Sequence, residues 1–192
     1  MKVYLNMEKI RCGWCEKDDL YRKYHDEEWG KPVYDDKTIF EFLVLESFQA
    51  GLSWYTILKK RENFQLAFDN FDYQKIAGYS EEKVEELMQN IGIIRNRLKI
   101  LATVNNAKRF MEVQKEFGSF SAYIWNFVGG KPIDNQFKEL KEVPATTEIS
   151  DQLAKDLKKR GFKFLGSTVV YAHMQATGMV NDHVINCHTR QI

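Results

Sequence analysis

Apolar residues recur at helical spacing along most of the chain. In DDKTIFEFLVLESFQAG an aspartate start precedes a stripe through Ile39, Leu43 and Ala50, and Gly51 supplies a stop, so the pattern predicts a helix there. SEEKVEELMQNIG opens with Ser80 at the cap position and a glutamate-rich first turn, although Lys83 stands where a capping box would place a glutamate. RNRLKILATVNNAKRFMEVQKEFG reads as one long helix and SFSAYIWNFVGG as a shorter one closed by a glycine pair. SDQLAKDLKKRG and STVVYAHMQATG each place a serine at the expected N-cap and a glycine just past the end. The alternation that marks a half-buried strand is scarce. The pattern predicts an all-α fold of seven to nine helices.

Composition narrows this picture. With 192 residues, 44% of them hydrophobic and 14% aromatic, the chain can bury one good core, and residues 1–192 read as a single domain. Three prolines and eleven glycines are spread too thinly for a linker or low-complexity segment. No run of about 18 apolar residues is present, and MKVYLNMEKIRC lacks the pattern of a signal peptide, so a cytoplasmic protein with no membrane partner is expected. A formal charge of +1 gives no overall attraction to nucleic acid. The basic runs LKKRE, IIRNRLK and LKKRGFKF, set against the acidic HDEEW and SEEKVEE, read most simply as solvated helix faces.

Candidate chemistry begins with three cysteines and four histidines. Cys12, Cys15 and Cys187 are an odd set split between the two ends, which does not suit a disulfide framework. In HVINC, His183 lies four residues before Cys187, a spacing that points two soft ligands the same way. The N-terminal stretch RCGWCEKDDLYRKYHDEEWG offers two completions of a tetrahedral zinc site: Cys12 with Cys15, or Cys12 with His25. Either fills all four positions, leaves no place for an activated water, and implies a structural ion that brings the termini together. A redox CxxC is the weaker alternative, because no strand precedes it.

A second feature is Glu46, which falls on the apolar stripe of FLVLESFQAGLSW, just before Gly51, Leu52 and Trp54. A buried carboxylate needs either a structural ion pair with an arginine or a functional role. A third is LMQNIGIIRNRLKI, two helical patterns joined by Ile91, Gly92 and Ile93, the form of a helix-hairpin-helix at about residues 80–110. Such a turn presents backbone N–H groups to a DNA phosphate, and Arg95 and Arg97 add charge, although any αα-hairpin with a glycine looks similar. Finally, Trp14, Tyr21, Tyr24 and Trp29 lie close together, and Trp54 lies near the glutamate. They serve either a plain core or a pocket that stacks an extruded, electron-poor base.

RCGWC, YHDEEWG, LESFQAGLSW, LKKRENF, IGIIRNRLKI, LKKRGFKFLG and GMVNDHVINC together resemble the 3-methyladenine DNA glycosylase I family of the helix-hairpin-helix superfamily, over roughly residues 11–187. The resemblance implies an all-helical, monofunctional enzyme that excises N3-methylated adenine from double-stranded DNA. It implies one structural zinc on Cys12, His25, His183 and Cys187, with Cys15 a bystander that the family does not usually carry. Glu46 becomes the carboxylate that reads the base edge, and Trp14, Tyr24 and Trp54 the pocket aromatics, with Tyr21 and Trp29 nearby. Gly51 and Leu52 become the tip that fills the vacated stack, and Ile91, Gly92, Ile93 and Arg95 the duplex contacts. Phe48 stands where the family more often has a polar residue, which bears on substrate selectivity. MKVYLN extends beyond the usual start, making Met7 a candidate second initiation site. The segment after Gly92 lacks the aspartate, and the hairpin the lysine nucleophile, of other hairpin glycosylases, and Asp134 is too distant to substitute. A monomer is expected because the DNA-facing side must stay open. The rivals are a zinc-stapled DNA-binding module without catalysis and a metal-dependent hydrolase, the latter needing an open coordination position.

Overall fold

The computed structural model describes residues 9–190; both candidate starts, Met1 and Met7, lie outside them. Among the described residues the fold is mostly helical: α1 (Asp19–Glu27), α2 (Asp36–Gln49), α3 (Trp54–Leu58), α4 (Arg61–Ala67), α5 (Tyr73–Ala77), α6 (Glu81–Gln89), α7 (Arg97–Phe117), α8 (Phe120–Trp125), α9 (Glu148–Lys159) and α10 (Ser167–Ala176). That is more helices than the pattern predicts, because α3, α4 and α5 have five to seven residues each and are too short to display a 3.6-residue period. Two short strands, β1 (Ile133–Asp134) and β2 (Val180–Asn181), pair in parallel with Ile133 opposite Val180. No helix of the described residues is long and apolar enough to cross a membrane.

The expected glycine stops hold: Gly118, Gly161 and Gly178 end α7, α9 and α10 with positive φ. Two expected starts do not. Thr147, not Ser150, caps α9, and Ser150 sits one turn in as the reciprocal partner of a capping box. Gly166 precedes α10 with no side-chain cap, and the Ser167 hydroxyl instead meets the Ser150 hydroxyl at 3.0 Å, tying α10 to α9. A serine at a helix start has one hydroxyl, and here tertiary contacts claim it.

At the centre lies α2, packed by α3, α7, α8 and α10. Nearly every residue from Ile39 to Phe48 is buried, so the helix is apolar around its circumference rather than striped. Around it pack Phe64, Phe68, Phe110 and Phe120, with the Phe110 and Phe120 rings stacked at 4.1 Å. Phe48 belongs to this core, edge-on to Phe64 at 4.8 Å, and lines no cavity with Glu46. Successive helical residues diverge by about 100°, so Glu46 and Gln49 share a face that Phe48 leaves. Its bearing on substrate selectivity therefore falls away.

Candidate active site and metal centre

The two ends of the described chain meet: His188 N–H donates to the Ile10 carbonyl at 2.8 Å. Cys12 precedes a short 3₁₀ turn (Gly13–Cys15), His25 lies in the last turn of α1, and His183 and Cys187 follow β2. Their ligand atoms lie within 4.8 Å of one another and all four residues are buried, so the cluster could hold one metal ion. Cys12 Sγ is 3.6 Å from His183 Nδ1, and Cys187 Sγ is 3.4 Å from both His183 Nδ1 and His25 Nε2. Cys15 is outside the group; its thiol donates to the Cys12 carbonyl at 3.0 Å, and burial pushes it up to about 11. The completion through Cys15 is thus not the one the fold brings together.

Each histidine is oriented from behind. His25 Nδ1 donates to Asp26 at 2.8 Å, and Asp26 is gripped in turn by Arg11 at 2.8 Å. His183 Nε2 donates to the Trp29 carbonyl at 3.1 Å, which turns Nδ1 toward the sulfurs. That approach requires a glycine at residue 30, where φ is +76° and a Cβ would lie 2.8 Å from His183 Nε2. The Cys187 thiol is drawn far below its ordinary range, first by the hydrogen bond from the Cys12 thiol. The cluster favours a thiolate, as a soft cation requires.

Trp14 and Trp29 back onto this cluster, at 5.3 Å from His25 and 4.7 Å from His183 respectively. Their other side faces a cavity of about 390 Å³ that they line with Tyr21, Tyr24, Trp54 and Glu46. All five aromatic residues expected from the sequence meet there: Trp14 is 4.9 Å from Tyr21 and 5.1 Å from Trp29, and Tyr24 is 5.4 Å from Trp54. Glu46 is only 3% exposed and its Oε2 has no hydrogen-bond partner; nor has the buried Trp54 Nε1. The alternative of an ion pair between Glu46 and an arginine is excluded for the described residues, since Arg61 at the edge of α2 pairs with Glu41 and Glu28. Burial alone raises the Glu46 carboxyl to about 8. An unpaired buried acceptor and an unpaired buried donor thus line one aromatic cavity.

The family model of methyladenine glycosylases matches residues 14–191. The chain belongs to the methyladenine glycosylase family. It is 50% identical over 177 residues to DNA-3-methyladenine glycosylase 1 of Escherichia coli (strain K12), covering 92% of this chain and 95% of that one. A crystal structure of 3-methyladenine DNA glycosylase I superposes with a TM-score of 0.92 at 49% identity, covering 95% of this chain and 100% of the other. A variant of such an enzyme, solved in complex with 3-methyladenine, superposes with a TM-score of 0.92 at 38% identity, covering 95% and 98%.

In this methyladenine glycosylase chain the remaining predicted positions lie outside the cavity, most of them on the surface and Ile93 in the core. Gly51, with φ of +84°, and Leu52, 41% exposed, form a tip at the end of α2. The tip shares a smaller recess with Glu46 and Gln49. Lys99 anchors it, donating from Nζ at 2.8 Å to the carbonyls of both Phe48 and Ala50. Lys99 is therefore no solvated cation, although it lies in a basic run. At the α6–α7 turn, Ile91 and Ile93 have opposite fates: Ile91 is 78% exposed, whereas Ile93 is buried in the core. The Gly92 N–H donates to Asn90 Oδ1 at 2.8 Å and that of Ile93 to the Asn90 carbonyl at 3.4 Å, so the amides expected to face a phosphate are engaged within the turn. Lys60 Nζ binds the carbonyls of Ile91 and Gly92. Arg97 pairs with Glu81 and Glu85, while Arg95 is exposed with no ion-pair partner among the described residues.

Sequence reasoning missed Gln49, Leu140, Val143, Ala172, Gln175 and Asp182, which complete the cavity wall. Leu140 and Val143 come from a 3₁₀ turn (Leu140–Glu142) and its C-cap, too short to show a period. Gln175 carried a signal, a lone amide in the apolar run VVYAHMQA.

Proposed function

We infer that the protein is a DNA-3-methyladenine glycosylase that hydrolyses the bond between sugar and N3-methylated adenine in duplex DNA. One observation carries this reading: the partnerless Glu46 carboxylate, buried in an aromatic cavity large enough for a nucleobase. An N3-methylated adenine is a cation, so it brings the counter-charge that Glu46 lacks, and the surrounding π faces favour it over neutral adenine. Its glycosidic bond is already weakened: the electron pair of the C1′–N9 bond leaves with the base and cancels the positive charge, so no acid is needed. The protein's part is to hold the extruded base against Trp14, Tyr24 and Trp54, with Tyr21 and Trp29 behind, and to let Glu46 accept from its edge. Water completes the reaction at C1′, and with no lysine nucleophile proposed the strand stays uncut.

The Cys12, His25, His183 and Cys187 set is proposed to hold one zinc ion. Tetrahedral zinc, with bonds of about 2.3 Å to sulfur and about 2.0–2.1 Å to nitrogen, has sulfur–nitrogen edges of about 3.6 Å, and the observed separations of 3.4 to 3.6 Å fit. When bound, zinc would neutralise the thiolates and clasp the two ends of the chain. Four protein donors leave no open position for metal-dependent hydrolysis.

For the duplex, a helix-hairpin-helix reading of α6 and α7 assigns contacts to Ile91 and Arg95, and Leu52 is assigned to the gap left by the extruded base. The protein is proposed to act as a cytoplasmic monomer, with these positions open to DNA. Glu46→Gln tests the reading: excision is expected to fall by about 10²–10³ with duplex binding intact. Excision by the variant at the wild-type rate would remove Glu46 from the reaction, and no 3-methyladenine release by the wild type would leave only a DNA-binding module.

A further inference from the structure

Gln175 lies one helical turn beyond Ala172 on the face of α10 that lines the cavity, across from Glu46 and Gln49. Its amide has a fixed sense. Gln175 Nε2 lies 2.8 Å from Asp182 Oδ2, and a carboxylate oxygen already receiving hydrogen bonds calls for a donor, so the nitrogen must take that end. The carbonyl oxygen is left at the other end, with no partner among the described residues.

Asp182 is itself immobilised. It is buried, and it accepts from Asn135 Nδ2 and from the Tyr171 hydroxyl, each at 2.7 Å. Burial and the Asp182 hydrogen bond push the Tyr171 hydroxyl up, so it stays a donor. Asn135 and Asp182 directly follow β1 and β2, so the two-stranded ladder sets their spacing. Three converging donors leave Gln175 no freedom to turn its amide over.

We propose that Gln175, locked by Asp182, is a specificity-determining residue whose carbonyl oxygen accepts from the exocyclic amine at position 6 of the flipped base. The proposal rests on the glycosylase reading and extends it to the choice between purines. Adenine carries a donor at position 6; guanine carries a carbonyl. A desolvated carbonyl facing a fixed acceptor oxygen is left unpaired and repelled, which discriminates more sharply than shape. Gln175 thus disfavours N3-methylguanine while Glu46 provides the charge complement that both cationic lesions share.

The test uses the full-length protein on methylated duplex DNA, with release of 3-methyladenine and 3-methylguanine followed together by chromatography. Gln175→Met keeps the side-chain length and removes the acceptor. It is expected to slow 3-methyladenine release by about tenfold while changing 3-methylguanine release less than about twofold. Asp182→Asn, which frees the amide to rotate, is expected to shift the ratio the same way. Asp182 adjoins His183, so its variant is scored only if metal content and Tm match the wild type; Gln175→Met alone decides the outcome. Equal slowing of both lesions, or no slowing, in Gln175→Met overturns the proposal. Failure of the underlying reading looks different, because the wild-type protein would then release no 3-methyladenine at all.

Discussion

On one side of Trp14 and Trp29, every ring nitrogen of His25 and His183 has a partner; on the other, Glu46 Oε2 and Trp54 Nε1 have none. Both regions bury ionisable groups among aromatics, and both depend on the N-terminal segment. In the cluster, Asp26 and Arg11 behind His25 and the Trp29 carbonyl behind His183 leave the four donors aimed at one another and at the Thr189 hydroxyl, 3.0 Å from Cys187 Sγ and 3.2 Å from His183 Nδ1. In the cavity, burial holds the Glu46 carboxyl near 8 with nothing to offset it. A site with its hydrogen bonds complete supports the fold, whereas one left incomplete costs stability until a ligand completes it.

Breaking the cavity should have the largest effect on activity and the opposite sign on stability. Because the folded Glu46 carboxyl lies above its ordinary 4.5, its burden is absent below about pH 4.5 and grows as pH rises toward 8. Glu46→Gln should therefore depress excision while raising stability at pH 8 more than at pH 5, by up to about 1–3 kcal/mol, measured by thermal melts across that range. Calorimetry near pH 7 with 3,9-dimethyladenine, which keeps the positive charge that the released base loses, in buffers of different ionisation heat should show proton release in the wild type and none in the variant.

Breaking the cluster should act through the fold instead. Cys187→Ala should lower bound zinc from one per chain to near none by elemental analysis. It should also cost at least about 3 kcal/mol, or roughly 10 °C in Tm. Activity should follow Tm, because Trp14 and Trp29 lose their backing. A variant that keeps its stability with the metal gone would make the cluster dispensable.

Smaller effects sharpen the boundary between the regions. Lys99→Met unties the Gly51–Leu52 tip from α7, and should raise KM for lesion-bearing duplex about three- to tenfold with little change in the affinity for free base. His173, fully buried in α10 with neither nitrogen bonded, is held down to about 3 by burial. Its folded value is depressed, so the stability it permits is present above pH 6.5 and is lost as pH falls below that. His173→Leu should recover on the order of 2 kcal/mol near pH 4.5 and much less at pH 8.

The four metal-cluster residues were legible in the sequence because so few cysteines and histidines exist to fill four positions, although spacing alone left Cys15 and His25 tied. The family resemblance picked His25, and the fold agrees by turning the Cys15 thiol onto the Cys12 carbonyl. Glu46 was legible as a carboxylate out of place on an apolar stripe. Gln175 and Asp182 were not, since a single amide and an aspartate acquire meaning only when β1 and β2 align Asn135 beneath them. The short helices α3 to α5 escaped for lack of length, and Ser150 and Ser167 misled because a contact between helices outweighed a local cap.

The most direct measurement is release of free base from methylated duplex DNA by wild-type protein and Glu46→Gln side by side, with zinc content and fold checked in both. The wild type should release 3-methyladenine well above the uncatalysed rate, and the variant should bind the duplex yet release about 10²–10³ less. No release by the folded, zinc-loaded wild type, or equal release by both, would contradict the account.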